Sequence, residues 1–599
     1  MAQDNGADET VGRSSRWRTP GVEARAGRFD GPSLIPELTA IQARLGWLPR
    51  EELVALGREF KRPLYEIEGL VSYYPHFRTD PPPKVAVHGC HDLSCWLRGS
   101  SDALTRLADR YGAAEDVEAG DVEAGDVEAG DVEYREVSCL GRCDLAPAVA
   151  VNEHPAALAE TDRLVEAARA DRLPPAEATP SGRTEPWPND PYAPGEQRYR
   201  VLRSVLTDAL SPEDVAAAVA DSGLRGMGGA GFPTGKKWEL VASQPGPLKY
   251  AICNADESEP GTFKDRQIMA DQPHLVLEGL LLGMVCTGAA QGWVFIRHEY
   301  GPESDLLRAE IASLRDDGLL GVDVLGSGRT LQLDIFTSPG GYILGEESAL
   351  IECMEGHRGE PRNKPPFPGV HGLWGRPTLM NSVETFADVP VIVERGAQWW
   401  RTQGVDDSVG WKFFAVSGHV ERPGVYCVPM GTTARSLLDL AGGVAGGVAL
   451  QAIQPGGASS NFLGPAQLDV PLDFGTLADA GSMLGSGALV AIAEGTDLLA
   501  AATNVLRFFR DESCGKCVPC RVGSTKAHAL LTEAMGNGGL DDPGRERIVE
   551  LELAMRKTSI CGLGQVALGP VVSVLGLQRG GTTVREQPKD DDPEADDKR

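Results

Sequence analysis

Three cysteines stand three residues apart in Cys514-Gly-Lys-Cys517-Val-Pro-Cys520, and a fourth, Cys561, follows downstream. A short loop that wraps three corners, with a remote residue at the fourth, is the ligation habit of a cubane iron–sulfur cluster. A four-thiolate zinc site is the alternative, although zinc more often takes two close pairs. Cys90-x4-Cys95 and Cys139-x3-Cys143 supply two such pairs, each after a strand-like segment. Four thiolates so arranged suit a 2Fe–2S rhomb, with zinc a closer competitor here than at the first site.

A second kind of chemistry lies between these groups. Gly226-Met227-Gly228-Gly229-Ala230-Gly231 satisfies G-x-G-x-x-G. A dinucleotide fold needs a strand before that motif. Here a helical pattern precedes it, opened by Ser211 as cap and Pro212 in the first turn, so an ordinary Rossmann site is excluded. Glycines at this density still let backbone N–H groups approach a phosphate, with Arg225, Lys236 and Lys237 nearby; a tight structural turn is the plain alternative. Asn254-Ala-Asp256-Glu257-Ser258-Glu259 follows the strand-like Tyr250-Ala-Ile-Cys, where polar groups can meet a ligand's ring or ribose. Gly340-Gly341-Tyr342-Ile-Leu-Gly345-Glu346-Glu347 is a second glycine loop. Lys364-Pro-Pro-Phe367 sets a cation and an aromatic close together on a stiff segment, able to grip a phosphate and stack an adenine, or simply to turn the chain.

The elements that must hold these residues are legible as a series. Leu34, Leu38, Ile41 and Leu45 recur at helical spacing, and Pro49 and Pro63 open two more short helices. Residues 84–88 and 134–137 read as strands. Between them Asp-Val-Glu-Ala-Gly occurs three times from Asp116 to Gly130, an acidic loop insertion. Residues 176–197 read as a linker, 211–396 alternate helix and strand, 412–428 form a hairpin turning at Arg422-Pro423-Gly424, and 497–577 are helical. Residues 1–30 and 585–599 are too polar to fold alone.

A chain of 599 residues suggests about four domains. Its net charge of −29 argues against a nucleic-acid partner and against docking on an anionic membrane. The best apolar run, Leu275–Ala290, has 16 residues and carries Glu278, short of the ~20 a spanning helix needs. No signal peptide is visible, so the expected compartment is the cytoplasm, where disulfides are rare and grouped cysteines mean metal or redox chemistry.

Three stretches together carry a resemblance: Ser222-Gly-Leu-Arg-Gly-Met-Gly-Gly-Ala-Gly-Phe-Pro-Thr-Gly-Lys-Lys-Trp238, Cys253-Asn-Ala-Asp-Glu-Ser-Glu-Pro-Gly261 and Glu512-Ser-Cys-Gly-Lys-Cys-Val-Pro-Cys-Arg-Val-Gly523. They resemble the NADH-binding flavoprotein subunit of respiratory complex I, in order from about Ser204 to Leu577. Residues 33–178, through Cys139-Leu-Gly-Arg-Cys143-Asp-Leu-Ala-Pro147, resemble the small thioredoxin-like 2Fe–2S subunit that partners it. The two are fused here, as in soluble NAD-linked formate dehydrogenases and NAD-reducing hydrogenases.

The resemblance implies a multidomain α/β and α+β chain. Its parts are N-terminal helices (31–80), a thioredoxin-like 2Fe–2S domain (81–178), a linker (179–197), an α/β FMN- and NADH-binding domain (198–405), a ubiquitin-like β-grasp module (406–495) and a helical bundle with a 4Fe–4S cluster (496–580). Disordered ends at 1–30 and 581–599 complete it. It implies 2Fe–2S ligands Cys90, Cys95, Cys139 and Cys143, and 4Fe–4S ligands Cys514, Cys517, Cys520 and Cys561. It implies FMN at Gly226, Gly228, Gly229, Ala230, Gly231, Lys236, Asn254, Asp256, Glu257 and Asn381, with Ser258, Tyr342, Gly345 and Glu346 in the cofactor set. NAD(H) falls to Phe232, Glu259, Glu347, Lys364 and Phe367, with Glu257 and Glu259 orienting the nicotinamide and tuning the flavin. Met227 stands where the family commonly has Arg, and Ser382 where it often has a second Asn.

The function implied is that of a diaphorase, the NAD(H) oxidoreductase part of a larger complex. Foremost is a soluble formate dehydrogenase with a molybdenum or tungsten partner. A complex I module or a hydrogenase partner is the alternative, and a zinc-stabilised scaffold is the reading without redox turnover.

Overall fold

A computed structural model describes residues 33–112, 131–192 and 195–578. The acidic repeat and both polar ends lie outside the described residues. The first helices are Ile35–Leu45, Arg50–Glu59 and Leu64–Val71, with prolines at the entry to each. They bury Leu34, Leu38, Leu53 and Ile67. Next comes a four-stranded sheet in the order β2-β1-β3-β4, built from β1 (Val85–Cys90), β2 (Val132–Val137), β3 (Ala148–Val151) and β4 (His154–Ala157). β1 and β2 run parallel and the other pairs antiparallel.

The central sheet is wholly parallel, in the order β7-β6-β5-β8. Its strands are β5 (Tyr250–Ala255), β6 (Gln291–Arg297), β7 (Gln332–Ser338) and β8 (Thr378–Ser382). A parallel sheet covered on both faces needs apolar residues on both. Tyr250, Ile252, Trp293 and Phe295 face one core, shared with the N-terminal helices and the C-terminal bundle. Ala251, Cys253, Val294 and Ile296 face the other, shared with the helix Pro273–Thr287. The order of strands reverses at β5: β6 and β7 lie on one side of it and β8 on the other. A crevice opens at the carboxyl ends of strands at such a switch point.

A third sheet, β10-β9-β12-β11, follows: β9 (Trp411–Gly418), β10 (Gly424–Pro429), β11 (Leu450–Gln454) and β12 (Ala488–Ala493). β9 and β10 form the expected hairpin and β9 pairs parallel with β12. The described residues end in a bundle of the helices Leu498–Asp511, Val518–Gly536, Asp542–Thr558, Gly562–Val566 and Gly569–Leu577.

The apolar run with Glu278 is a core helix. No helix among the described residues is long and apolar enough to cross a membrane. Glu278 is fully buried and accepts from Tyr192 Oη at 2.7 Å and Leu202 N at 3.0 Å. Burial pushes its carboxyl up to about 7, against an ordinary value of 4.5. The folded chain therefore binds this proton more readily than the unfolded one, and on this group's account stability falls as pH rises from 4.5 to about 7. Glu278→Gln keeps an acceptor and removes the titration. The difference in urea midpoint between pH 5 and pH 8 should shrink in the variant.

Candidate active site and metal centres

Polar residues converge on the switch-point crevice from every strand of the parallel sheet. β5 carries Asn254 near its end and runs on into Asp256 and Glu257, while β8 ends in Asn381 and Ser382, β7 in Ser338 and β6 in Arg297. Asn254 and Ser382 are paired neighbours in the sheet. Asp256 accepts from Ser258 Oγ at 2.5 Å and Ser338 Oγ at 3.0 Å, and burial raises its carboxyl to about 6. Asn254 Nδ2 donates to Gly345 O at 2.8 Å, joining β5 to the second glycine loop. Trp238 Nε1 donates to Asn381 Oδ1 at 3.1 Å.

The first glycine loop lies over the end of β8. Met227 N donates to Thr385 Oγ1 at 2.9 Å, and Thr385 is in turn 2.8 Å from Ser382 Oγ. Gly229 and Gly231 take positive φ of 142° and 64°, and Gly228 and Ala230 are exposed. A loop of this kind, with little side chain in the way, fits a phosphate. Lys236 points to solvent. Lys237 turns inward instead, its Nζ 3.0 Å from Met380 O and its ammonium pushed down by burial. On the rim, Lys364 Nζ sits 2.6 Å from Glu346 and 2.9 Å from Glu347. Phe232 and Phe367 are 49% and 52% exposed, two half-bare aromatic faces available for stacking.

Glu257 and Glu259 are both committed within the protein. The Glu257 oxygens accept from Asp265 N at 2.8 Å, Arg266 N at 3.0 Å and Tyr300 Oη at 3.1 Å. That carboxylate caps the helix Lys264–Asp271, and burial raises it to about 7. It acts on the crevice through the loop it braces. Glu259 Oε1 accepts from Ser459 N at 2.8 Å and from Ser459 Oγ, both from the β-grasp module.

The four cysteines Cys90, Cys95, Cys139 and Cys143 are buried together. Cys139 and Cys143 Sγ are 3.5 Å apart. Gly141 N points at Cys139 Sγ and Ala148 N at Cys95 Sγ, each at 3.4 Å, which suits cluster sulfur ligands. Cys143 and Cys90, with Arg297 behind them, hold the Cys139 thiol well below its ordinary value. At the other site Cys517 and Cys561 each precede a helix, Val518–Gly536 and Gly562–Val566, whose positive end favours thiolate. Burial pushes Cys520 up to about 11 and Cys561 up to about 12, so metal ligation is needed to deprotonate them near neutrality.

Sequence reasoning missed the residues that join these centres. Arg297 Nη1 donates to Glu257 O and Nη2 to Cys139 O, each at 2.6 Å, while Glu299 pairs with the same guanidinium at 2.7 Å. Arg142 and Glu303 form a buried bidentate pair with both contacts at 3.1 Å, and Arg266 reaches Asp144 at 2.7 Å. At Gly141 any Cβ would fall 2.3 Å from Tyr300 Oη, so only glycine lets the cysteine loop seat there. Glu512 accepts from Tyr342 N at 2.7 Å and from the Ser138 hydroxyl, linking the second glycine loop to both cysteine loops. The one signal for Arg297 was a charge closing the apolar strand Trp293–Ile296.

Comparison with known families matches the chain in order. The thioredoxin-like [2Fe-2S] ferredoxin model covers residues 26–170, the Nuo51 FMN-binding domain 219–391, the SLBB domain 413–459 and the NADH-ubiquinone oxidoreductase-F iron-sulfur binding region 500–579. The F subunit of the NADH-quinone oxidoreductase of Aquifex aeolicus is 43% identical over 62% of this chain and 84% of its own. HndC, a component of the NADP-reducing hydrogenase of Solidesulfovibrio fructosivorans, is 41% identical over 63% of this chain and 76% of its own. A crystal structure of an NAD+-reducing [NiFe]-hydrogenase in the H2-reduced state aligns with TM-score 0.79 at 31% identity, covering 93% of this chain and 94% of that one.

Arg297→Met removes a cation at Cys139 and leaves Glu299 with His298 as its remaining ion-pair partner. Reduction of the 2Fe–2S centre should become at least tenfold less favourable, a drop of about 59 mV or more for a one-electron couple. Redox titration followed by electron paramagnetic resonance checks this, with Arg297→Lys falling between the variant and the parent.

Proposed function

The chain belongs to the family of the F subunit of NADH-quinone oxidoreductase, and from that premise we propose that it is the NAD(H)-exchanging component of an NAD-linked formate dehydrogenase. It is an NADH dehydrogenase-type flavin iron–sulfur oxidoreductase subunit with FMN, 2Fe–2S and 4Fe–4S groups. The observation that carries the proposal is the fused four-cysteine domain, seated on the flavin crevice by Arg142, Arg266 and Arg297. Such a fusion supports a self-contained NAD-linked assembly. A hydrogenase partner is the second reading, favoured by the alignment with a hydrogenase chain along 93% of this one.

Bound FMN supplies the conversion between two-electron hydride chemistry and single-electron transfer. In this proposal the first glycine loop takes the phosphate. Asn254, Asp256, Ser258 and Asn381 hold the ring and ribityl side, and Lys237 rather than Lys236 supplies the inward charge. Tyr342 and Gly345 close the opposite wall. Phe232 and Phe367 stack the nucleotide base, and Lys364, held by Glu346 and Glu347, sets its edge. Glu259 orients the nicotinamide end and Glu257 keeps the loop in place. The same proposal divides the chain at residues 81, 179, 198, 406 and 496.

Val518, Val522 and Ile560, close in sequence to Cys517, Cys520 and Cys561, are exposed apolar side chains. A partner's redox domain docking there would meet the 4Fe–4S site directly.

The isolated chain should oxidise NADH with an artificial acceptor and should leave formate and hydrogen untouched. The assembly captured from its native source should reduce NAD+ with formate. Hydrogen-driven reduction in place of formate would transfer the assignment to a hydrogenase.

Cys517→Ser should lower bound iron by about four atoms and abolish transfer to the partner, while NADH still bleaches the flavin, because hydroxyl is a poor substitute for thiolate. Iron analysis and circular dichroism read the cluster and the fold separately. Wild-type transfer in a folded variant would move the exit to the other cysteine set.

A further inference from the structure

The β-grasp module reaches the loop after β5 through Ser459. After β11 the chain folds back through Pro455-Gly456-Gly457-Ala458-Ser459-Ser460. This loop is fixed from within and from below. Gln454 Nε2 donates to Ser460 O at 3.0 Å, Gly456 N to Ser460 Oγ at 3.0 Å and Gly457 N to Ala488 O at 2.8 Å. Gly457 sits at φ 86°, and a Cβ there would fall 2.9 Å from the Glu259 carboxyl carbon. Ser459 thus arrives preorganised, with its N–H and hydroxyl aimed at one oxygen of Glu259.

The module cannot drift from that position. Lys412 at the start of β9 pairs with Glu384 at 2.6 Å, Lys264 pairs with the same carboxylate at 2.8 Å, and all three are buried. Thr262 and Ser486 meet across the same boundary at 2.6 Å.

We propose that Ser459 is a positioning residue for the nucleotide: it fixes the rotation of the Glu259 carboxylate so that its remaining acceptor capacity faces the amide or hydroxyl groups of NAD(H). The inference rests on Glu259 being the nucleotide contact proposed above. The two Ser459 donors on one oxygen set the carboxylate plane and the Ser486 hydroxyl adds a third bond to the carboxylate; a carboxylate offers about four acceptor sites, so capacity remains for one ligand N–H or O–H. Charge-assisted bonds of this kind are the strong ones. The module is then a wall of the nucleotide site as well as a spacer between the flavin domain and the bundle.

The experiment is calorimetric titration of NAD+ into oxidised, FMN-loaded protein, which involves no turnover. Ser459→Ala should weaken NAD+ about tenfold with FMN content and melting temperature retained, and Ser459→Thr, which keeps both donors, should recover most of the affinity. Glu259→Gln should also weaken binding, and Ser459→Ala should add little to it, because residues acting through one contact are not additive. Unchanged binding in Ser459→Ala beside a weakened Glu259→Gln overturns the inference and leaves the nucleotide reading standing. Additive losses overturn it too. Unchanged binding in Glu259→Gln removes the nucleotide contact itself, and the inference with it.

Discussion

The arrangement of the centres depends on where one buried guanidinium finds its acceptors. Arg297 is 2% exposed, and a cation so placed is tolerable only when paired and fully hydrogen-bonded. Its partners come from the loop after β5 (Glu257 O), the Cys139–Cys143 loop (Cys139 O) and its own strand end (Glu299). Both loops must be seated for the charge to be satisfied, so the loop after β5 and the Cys139–Cys143 loop are assembled together. Glu257 extends the arrangement by capping the next helix, and Tyr300 lies between Glu257 and Gly141.

The same device recurs at the domain boundaries. Arg142 with Glu303, Arg266 with Asp144, and Lys412 and Lys264 on Glu384 are all ion pairs drawn across domain boundaries or beside them. Apolar contact supplies most of the attraction, since the two cores run across the domains. It is non-directional, though, and would tolerate a range of docking positions. A buried pair that loses its partner is strongly penalised, which narrows that range to one geometry. For a chain that moves electrons between fixed groups, such narrowing serves function as well as stability.

Much of the site was legible from residue type and spacing. The Cys514–Cys520 triplet, both glycine loops and the polar run after β5 each lie within one short stretch, so their chemistry is written locally. The identity of the inward lysine was not. Lys236 and Lys237 are neighbours, and only the helical phase of Thr234–Ser243 against the crevice turns Lys237 in and Lys236 out. The employment of Glu257 and Glu259 was equally hidden, because a carboxylate in a loop looks available until its donors are known. Two of those donors, the amides of Asp265 and Arg266, lie close by in sequence, but Ser459 is 200 residues away.

By itself the sequence determined the kinds of element, the mixed multidomain fold class and the family, because periodicity, glycine density and cysteine spacing act over a few residues. Tertiary structure alone decided which side chains share a site. The β5–β8 switch point, the Gly141–Tyr300 seat and the Ser459–Glu259 contact join positions 128, 159 and 200 residues apart. Such contacts are selected by packing and by the cost of unpaired buried charge, and no local pattern encodes which distant partner satisfies it.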